Sequence, residues 1–176
     1  MTSHPISVVR YSVSRLTVEA GSTPAGFRSR YEKAVPPAPE QQMNELVRRQ
    51  APWQEMIDLV NATAPLGFLI YNKINVDPVV RLAGDQASAT TYLMGNHILM
   101  ERMFRHEPAV VMYAPLHTVI WGDTDGPAYF SFDKPSDQFG SFENPQITAV
   151  GAELDRKMAA LLEHLGVGVP DALAAN

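Results

Sequence analysis

The sequence predicts an α+β fold in which a largely antiparallel sheet carries its helices on one face and a long C-terminal helix closes the chain. Two observations carry this expectation. Short stretches with strand-like patterning recur at residues 67–75, 89–94, 110–121 and 128–133. Around them run stripes of helical period, the clearest being Ile147, Val150, Leu154, Met158, Leu161 and Leu165. A length of 176 residues suits a single domain over 1–176, large enough to bury a core without disulfides or metal staples.

The elements follow in order. A first strand is expected within 7–19, where Val9, Tyr11, Val13 and Leu16 punctuate polar positions, and Gly21 ends it. Ser22 or Thr23 before Pro24 has the form of an N-cap with proline just inside a helix, and Phe27, Tyr31 and Ala34 recur at helical spacing up to Pro36-Pro37. Residues 39–63 give two helical pieces split near Ala51-Pro52, one striped by Met43, Leu46 and Val47, the next by Trp53, Met56, Ile57 and Val60. In strand 67–75, Phe68, Ile70 and Ile74 share one face while Leu69, Tyr71 and Lys73 share the other. A loop with Pro78, Gly84 and Asp85 leads to strand 89–94, after which Asn96 caps a helix that stops before Pro108. Residues 110–121 and 128–133 form a hairpin, and Asn144-Pro145 opens the last helix, which Gly166 closes.

Composition narrows the function classes. Apolar content of 45% and charged content of 19% are those of a soluble globular chain, and the absence of cysteine removes disulfides, thiolate metal sites and cysteine nucleophiles. The N-terminal stretch lacks a signal-peptide apolar region, and no run approaches the roughly 18 apolar residues of a membrane span, so a cytoplasmic protein without membrane contact is expected. A net charge of −5 argues against a nucleic-acid partner. No G-x-S-x-G, phosphate-binding glycine loop or H-E-x-x-H occurs. Asp123-Thr124-Asp125-Gly126 fails as a calcium loop, because Pro127 and Lys134 occupy ligand positions, and reads as a hairpin turn.

The segment YLMGNHILMERM, followed by HEPAVVMYAPLHTVIW, DGPAYFSFDKP and the Asn-Pro start of the closing helix, resembles a bacterial and archaeal family catalogued as domain of unknown function 302. The resemblance covers most of 67–166, and the family's usual Gly-Asn-Pro is Gly95-Asn96-His97 here. It implies a β-α-β4-α arrangement similar to the TATA-binding-protein fold. It implies no reaction, and function belongs to a site rather than to a scaffold.

Two groups of side chains are candidates. On the helix after Asn96, His97, Met100, Met103 and His106 include soft ligands suited to haem or a metal. Against that, His97, Glu101 and Arg105 make one polar face, with Met100, Met103 and Phe104 opposite as core, so no metal is the preferred reading. Strand parity gives the second group. If Met112, Ala114, Leu116, Thr118 and Ile120 face the helices, then Tyr71, Lys73, Tyr113, His117, Trp121 and Tyr129 face outward as an aromatic, nearly acid-free surface. Such a face is expected to be a homodimer interface or to bound a pocket for a small organic ligand, giving a small-molecule-binding or sensing domain. The alternative is an enzyme on a small organic substrate with His117 as general base and Tyr113 assisting.

Overall fold

In the computed structural model, which describes residues 6–174, β1 (Arg15–Glu19) is followed by α1 (Pro24–Ala34), α2 (Glu40–Arg48), α3 (Trp53–Thr63) and β2 (Leu69–Asn75). A short α4 (Asp77–Leu82) precedes β3 (Ala87–Gly95), and α5 (His97–Phe104) leads through a 3-10 turn (Pro108–Met112) to β4 (Leu116–Asp123) and β5 (Ala128–Asp133). The chain then forms α6 (Pro135–Gly140), α7 (Pro145–His164) and α8 (Asp171–Ala174). The five strands lie in the order β1-β5-β4-β3-β2, every neighbour antiparallel. The expected fold class is observed.

Polar caps start the helices where the sequence places them. The side chains of Thr23, Asn96 and Asn144 accept from first-turn N–H groups of α1, α5 and α7, which have no intrahelical partner. Asn96 also donates from Nδ2 to the Gly67 carbonyl at 3.0 Å, tying α5 to the loop before β2. Asn96→Ala is therefore expected to lower stability by about 1–2 kcal/mol in urea denaturation. A loss of only a few tenths would mean that water caps α5 as well as Asn96 does.

The main core fills the space between one sheet face and α1, α5 and α7. Ile70, Tyr92, Met94, Ile120, Phe130 and Phe132 point inward and meet Phe27 and Tyr31 of α1 and Ile147, Val150, Leu154 and Met158 of α7. The spacing-three-or-four stripe of α7 is thus its buried face, and each such side chain contributes roughly 1.5–3 kcal/mol. Gly151 lets α6 lie close on α7, because a Cβ there would sit 3.1 Å from both Phe139 Cβ and Ser136 Cα. Leu69 alternates away from Phe68 and Ile70 and joins Met43, Met56, Val60 and Ala64 in a smaller cluster that holds α2 and α3 against β2.

Three sequence expectations are corrected. The first strand covers only Arg15–Glu19, because its partner β5 ends at Asp133, opposite Arg15, and the chain there turns into α6, which leaves residues 7–14 no strand to pair with. The strand expected over 110–121 begins at Leu116. Before it, Glu107 accepts from Ala109 N–H and sets up the 3-10 turn, which leaves Met112 72% exposed rather than in the core. The loop after β2 contains α4, where Asp77 holds Ser88 and the Ala89 N–H.

Among the described residues, no helix lies over the centre of the other sheet face. Across the strands it presents Asn72 and Ile74, then Thr91 and Leu93, then His117, Val119 and Trp121, then Tyr129 and Ser131. Among the described residues its charged groups stand at the margin, where Arg15 pairs with Asp133 at 3.5 Å and Glu19 lies opposite Tyr129.

Candidate functional site

A pocket of about 100 Å³ opens where β3 ends at Gly95 and α5 begins. Its lining is mostly apolar: Leu99, Met100 and Met103 from α5, Ala114, Pro115 and Leu116 at the start of β4, and Phe139 and Leu154 from α6 and α7. The polar groups are Tyr71, Asn96 and His97, and Asn96 is already committed as the cap of α5. Gly95 stands between Pro115 and Tyr71, where a Cβ would make ordinary contact with Pro115 Cα at 3.4 Å and Tyr71 Cε2 at 3.6 Å.

Tyr71 reaches this pocket because β2 is bulged. Ile70 opposes Met94 and Asn72 opposes Leu93, so Tyr71 has no cross-strand partner and its side chain leaves the simple alternation. Its hydroxyl lies 2.6 Å from His97 Nδ1, with the rings edge to face at 4.8 Å. The bulge also inverts the parity expected beyond it. Lys73 now lies opposite Tyr92 on the inner side and pairs with Glu32 at 2.6 Å, while Ile74 turns outward and is 49% exposed.

Burial sets the protonation of the pair. It pushes the Tyr71 phenol up to about 12 and holds the His97 imidazole below its ordinary value. At neutral pH the phenol is therefore protonated and the ring neutral. Either Tyr71 donates to Nδ1, or Nδ1–H donates to the phenol oxygen; in both cases Nε2 is the ring atom left for something else. It has no hydrogen-bond partner among the described residues and is not sealed from solvent.

A pH dependence follows. As pH falls below about 6.5, the unfolded chain protonates its histidine before the folded one does, so the unfolded state gains protons first. The contribution of His97 is complete above that value and is lost as pH falls toward the lower folded value. Denaturation midpoints at pH 7.5 and 5.5 are expected to differ, and His97→Gln is expected to shrink the difference. An unchanged difference in the variant would place the effect elsewhere.

The six side chains expected on one outward face occupy four places. His117, Trp121 and Tyr129 do share the uncovered sheet face: Trp121 and Tyr129 stack at 4.8 Å, Trp121 Nε1 donates to Ser131 at 2.8 Å, and His117 Nε2 meets the Thr91 hydroxyl. Tyr71 belongs to the pocket and Lys73 to the inner face. Tyr113 is not on a strand; it ends the 3-10 turn, packs edge-on against Phe139 and Phe142, and meets the Tyr11 hydroxyl, a hydrogen bond that pushes its phenol up to about 12. Nothing therefore brings Tyr113 to His117 as an acid–base pair.

The metal candidates also separate. His97, Met100 and Met103 line the one pocket, whereas His106 is exposed beyond the end of α5. Phe104, expected in the core beside the methionines, is 44% exposed. Among the described residues no group of three or more His, Cys, Asp or Glu is placed to hold a metal, and no helix is long and apolar enough to cross a membrane. What the sequence did not reveal is the partnership of Tyr71 with His97, which depends on the bulge. The grouping of His97 with Met100 and Met103 was legible in principle, because steps of three on a helix sweep only about 120° over six residues.

The family described as Domain of unknown function DUF302 matches residues 47–165. The crystal structure of an uncharacterized conserved DUF302 protein from Bacillus stearothermophilus is similar in fold, with a TM-score of 0.61 at 15% identity over 86% of this chain and 97% of that one. At that identity the likeness is one of fold alone. No curated protein matches the chain.

Proposed function

The chain belongs to the DUF302 family, a domain of unknown function, and from that premise we propose that it is a ligand-binding or sensing domain, which takes a small ligand beside α5 and acts as a homodimer. The observation that carries the reading is the half-buried Tyr71–His97 hydrogen bond in a pocket whose other walls are nearly all apolar. Binding sites characteristically combine an apolar lining with one or two placed polar groups that fix orientation. At about 100 Å³ the cavity is well below the volume of drug-sized sites, so its ligand has few atoms.

Native mass spectrometry of the purified protein tests this. An adduct is expected that disappears in Ala114→Phe, which fills the half-buried pocket wall, and that persists in Trp121→Ala on the sheet face. An adduct that survives pocket filling and vanishes with Trp121 would move the site to the sheet.

The homodimer rests on the uncovered face. Antiparallel sheets that face water usually do so with polar side chains. Here Leu93, Val119, Ile74 and the stacked Trp121–Tyr129 pair occupy it, with charge confined to the margin. Aromatic residues at the centre and charge at the rim are the composition of protein interfaces. Five strands spaced about 4.8 Å apart make a patch roughly 24 Å wide, on the scale of one side of a standard interface.

A further inference from the structure

We infer that the ligand of the α5 pocket is a soft monovalent metal ion, Cu(I), held by His97 Nε2 and the thioethers of Met100 and Met103. This rests on the reading of that pocket as the ligand site and names what fills it.

The donor geometry comes from one helix. His97, Met100 and Met103 stand at i, i+3 and i+6, within a sector of about 120°, and residues three apart have Cβ atoms about 5–6 Å from each other. All three line the same small cavity. Methionine has three rotatable bonds, so two thioethers on successive turns reach a common point beside the imidazole without backbone movement.

The donor chemistry selects the ion. Thioether sulfur is soft and imidazole borderline, a set that favours Cu(I) and gives little to Mg or Ca, which take oxygen. No Asp, Glu or Cys lines the pocket, so all three donors are neutral. An apolar cavity with neutral donors penalises a divalent ion far more than a monovalent one, because desolvation cost rises with the square of the charge. Porphyrin is excluded by size, since the cavity is about 100 Å³.

The surroundings supply what a metal-bound histidine needs. Its second ring nitrogen is held by a fixed partner: Nδ1–H donates to the Tyr71 hydroxyl oxygen at 2.6 Å, the tautomer that leaves the Nε2 lone pair for the metal.

The test is an anaerobic titration of the full chain with Cu(I) in competition with the chromophoric chelator bicinchoninate. One Cu(I) per chain is expected. Met100→Leu and the double variant Met100→Leu/Met103→Leu keep apolar volume, and the double variant is expected to weaken binding on the order of 100-fold, with Tyr71→Phe costing about tenfold. Met43→Leu/Met56→Leu, in the α2–α3 cluster, is expected to bind as the parent does. Failure of the parent to draw Cu(I) from the chelator, or uptake by the double variant equal to the parent's, overturns the inference. Calorimetry with phenol as a neutral probe separates the two readings. If phenol binds and Ala114→Phe abolishes it while Cu(I) does not bind, the pocket stands and the metal falls. If neither binds, both fall.

Discussion

Phe130→Ala is expected to destabilise the fold by about 3–5 kcal/mol, the largest effect of any single substitution considered. Phe130 is fully buried at the middle of β5, and its ring lies 5.8 Å from Phe27, 5.4 Å from Tyr31 and 5.4 Å from Phe132. It is thus one of the points where α1 is fastened to the sheet. Removing it loses the transfer free energy of the ring and leaves a cavity that α1 and two strands cannot both close. Single domains have roughly 5–15 kcal/mol in total, so a large share of stability goes with it. Urea denaturation reads the change, and a loss below about 1 kcal/mol would show that the inner face is packed loosely enough to refill.

Val119→Asp is expected to convert the proposed homodimer to monomer while the monomer remains folded. Val119 stands half-buried at the centre of the uncovered face, between Thr91 and Ser131 on the neighbouring strands. In the free chain the new carboxylate meets water. In a face-to-face dimer it is buried opposite its own copy without a cation, at a cost of roughly 3–5 kcal/mol, or about three decades in dissociation constant. Sedimentation velocity at micromolar protein decides it: a dimer for the parent and a monomer for the variant. A parent that sediments as a monomer would leave the aromatic face without this partner.

The fold was legible where local chemistry decides it. Thr23, Asn96 and Asn144 announce their helices because capping is a short-range hydrogen bond, and His117, Trp121 and Tyr129 share a face because strand parity is fixed within a strand. The site was less legible because it turns on two departures from regularity. The bulge at Tyr71 redirects one ring into the pocket and flips Lys73 and Ile74, and only the register with β3 reveals it. The 3-10 turn at 108–112 removes Tyr113 from the strand, although Val110, Val111 and Met112 have strand-like composition. On α5 the pattern was visible but was read against the wrong neighbour. His97 looks solvent-facing when paired with Glu101 and Arg105, and becomes half-buried only because Tyr71 arrives from another element.

The functional site proposed for this chain lies beside α5 rather than on the sheet face. Methyl-labelled methionine NMR tests it most directly, on the protein as isolated and again after its bound small molecules and ions have been stripped. The eight methionines include Met100 and Met103 in the pocket and Met43 and Met56 in the separate α2–α3 cluster. The Met100 and Met103 methyl signals are expected to move on stripping while those of Met43 and Met56 stay in place. Stationary Met100 and Met103 signals, with a shifted Trp121 indole N–H, would contradict it.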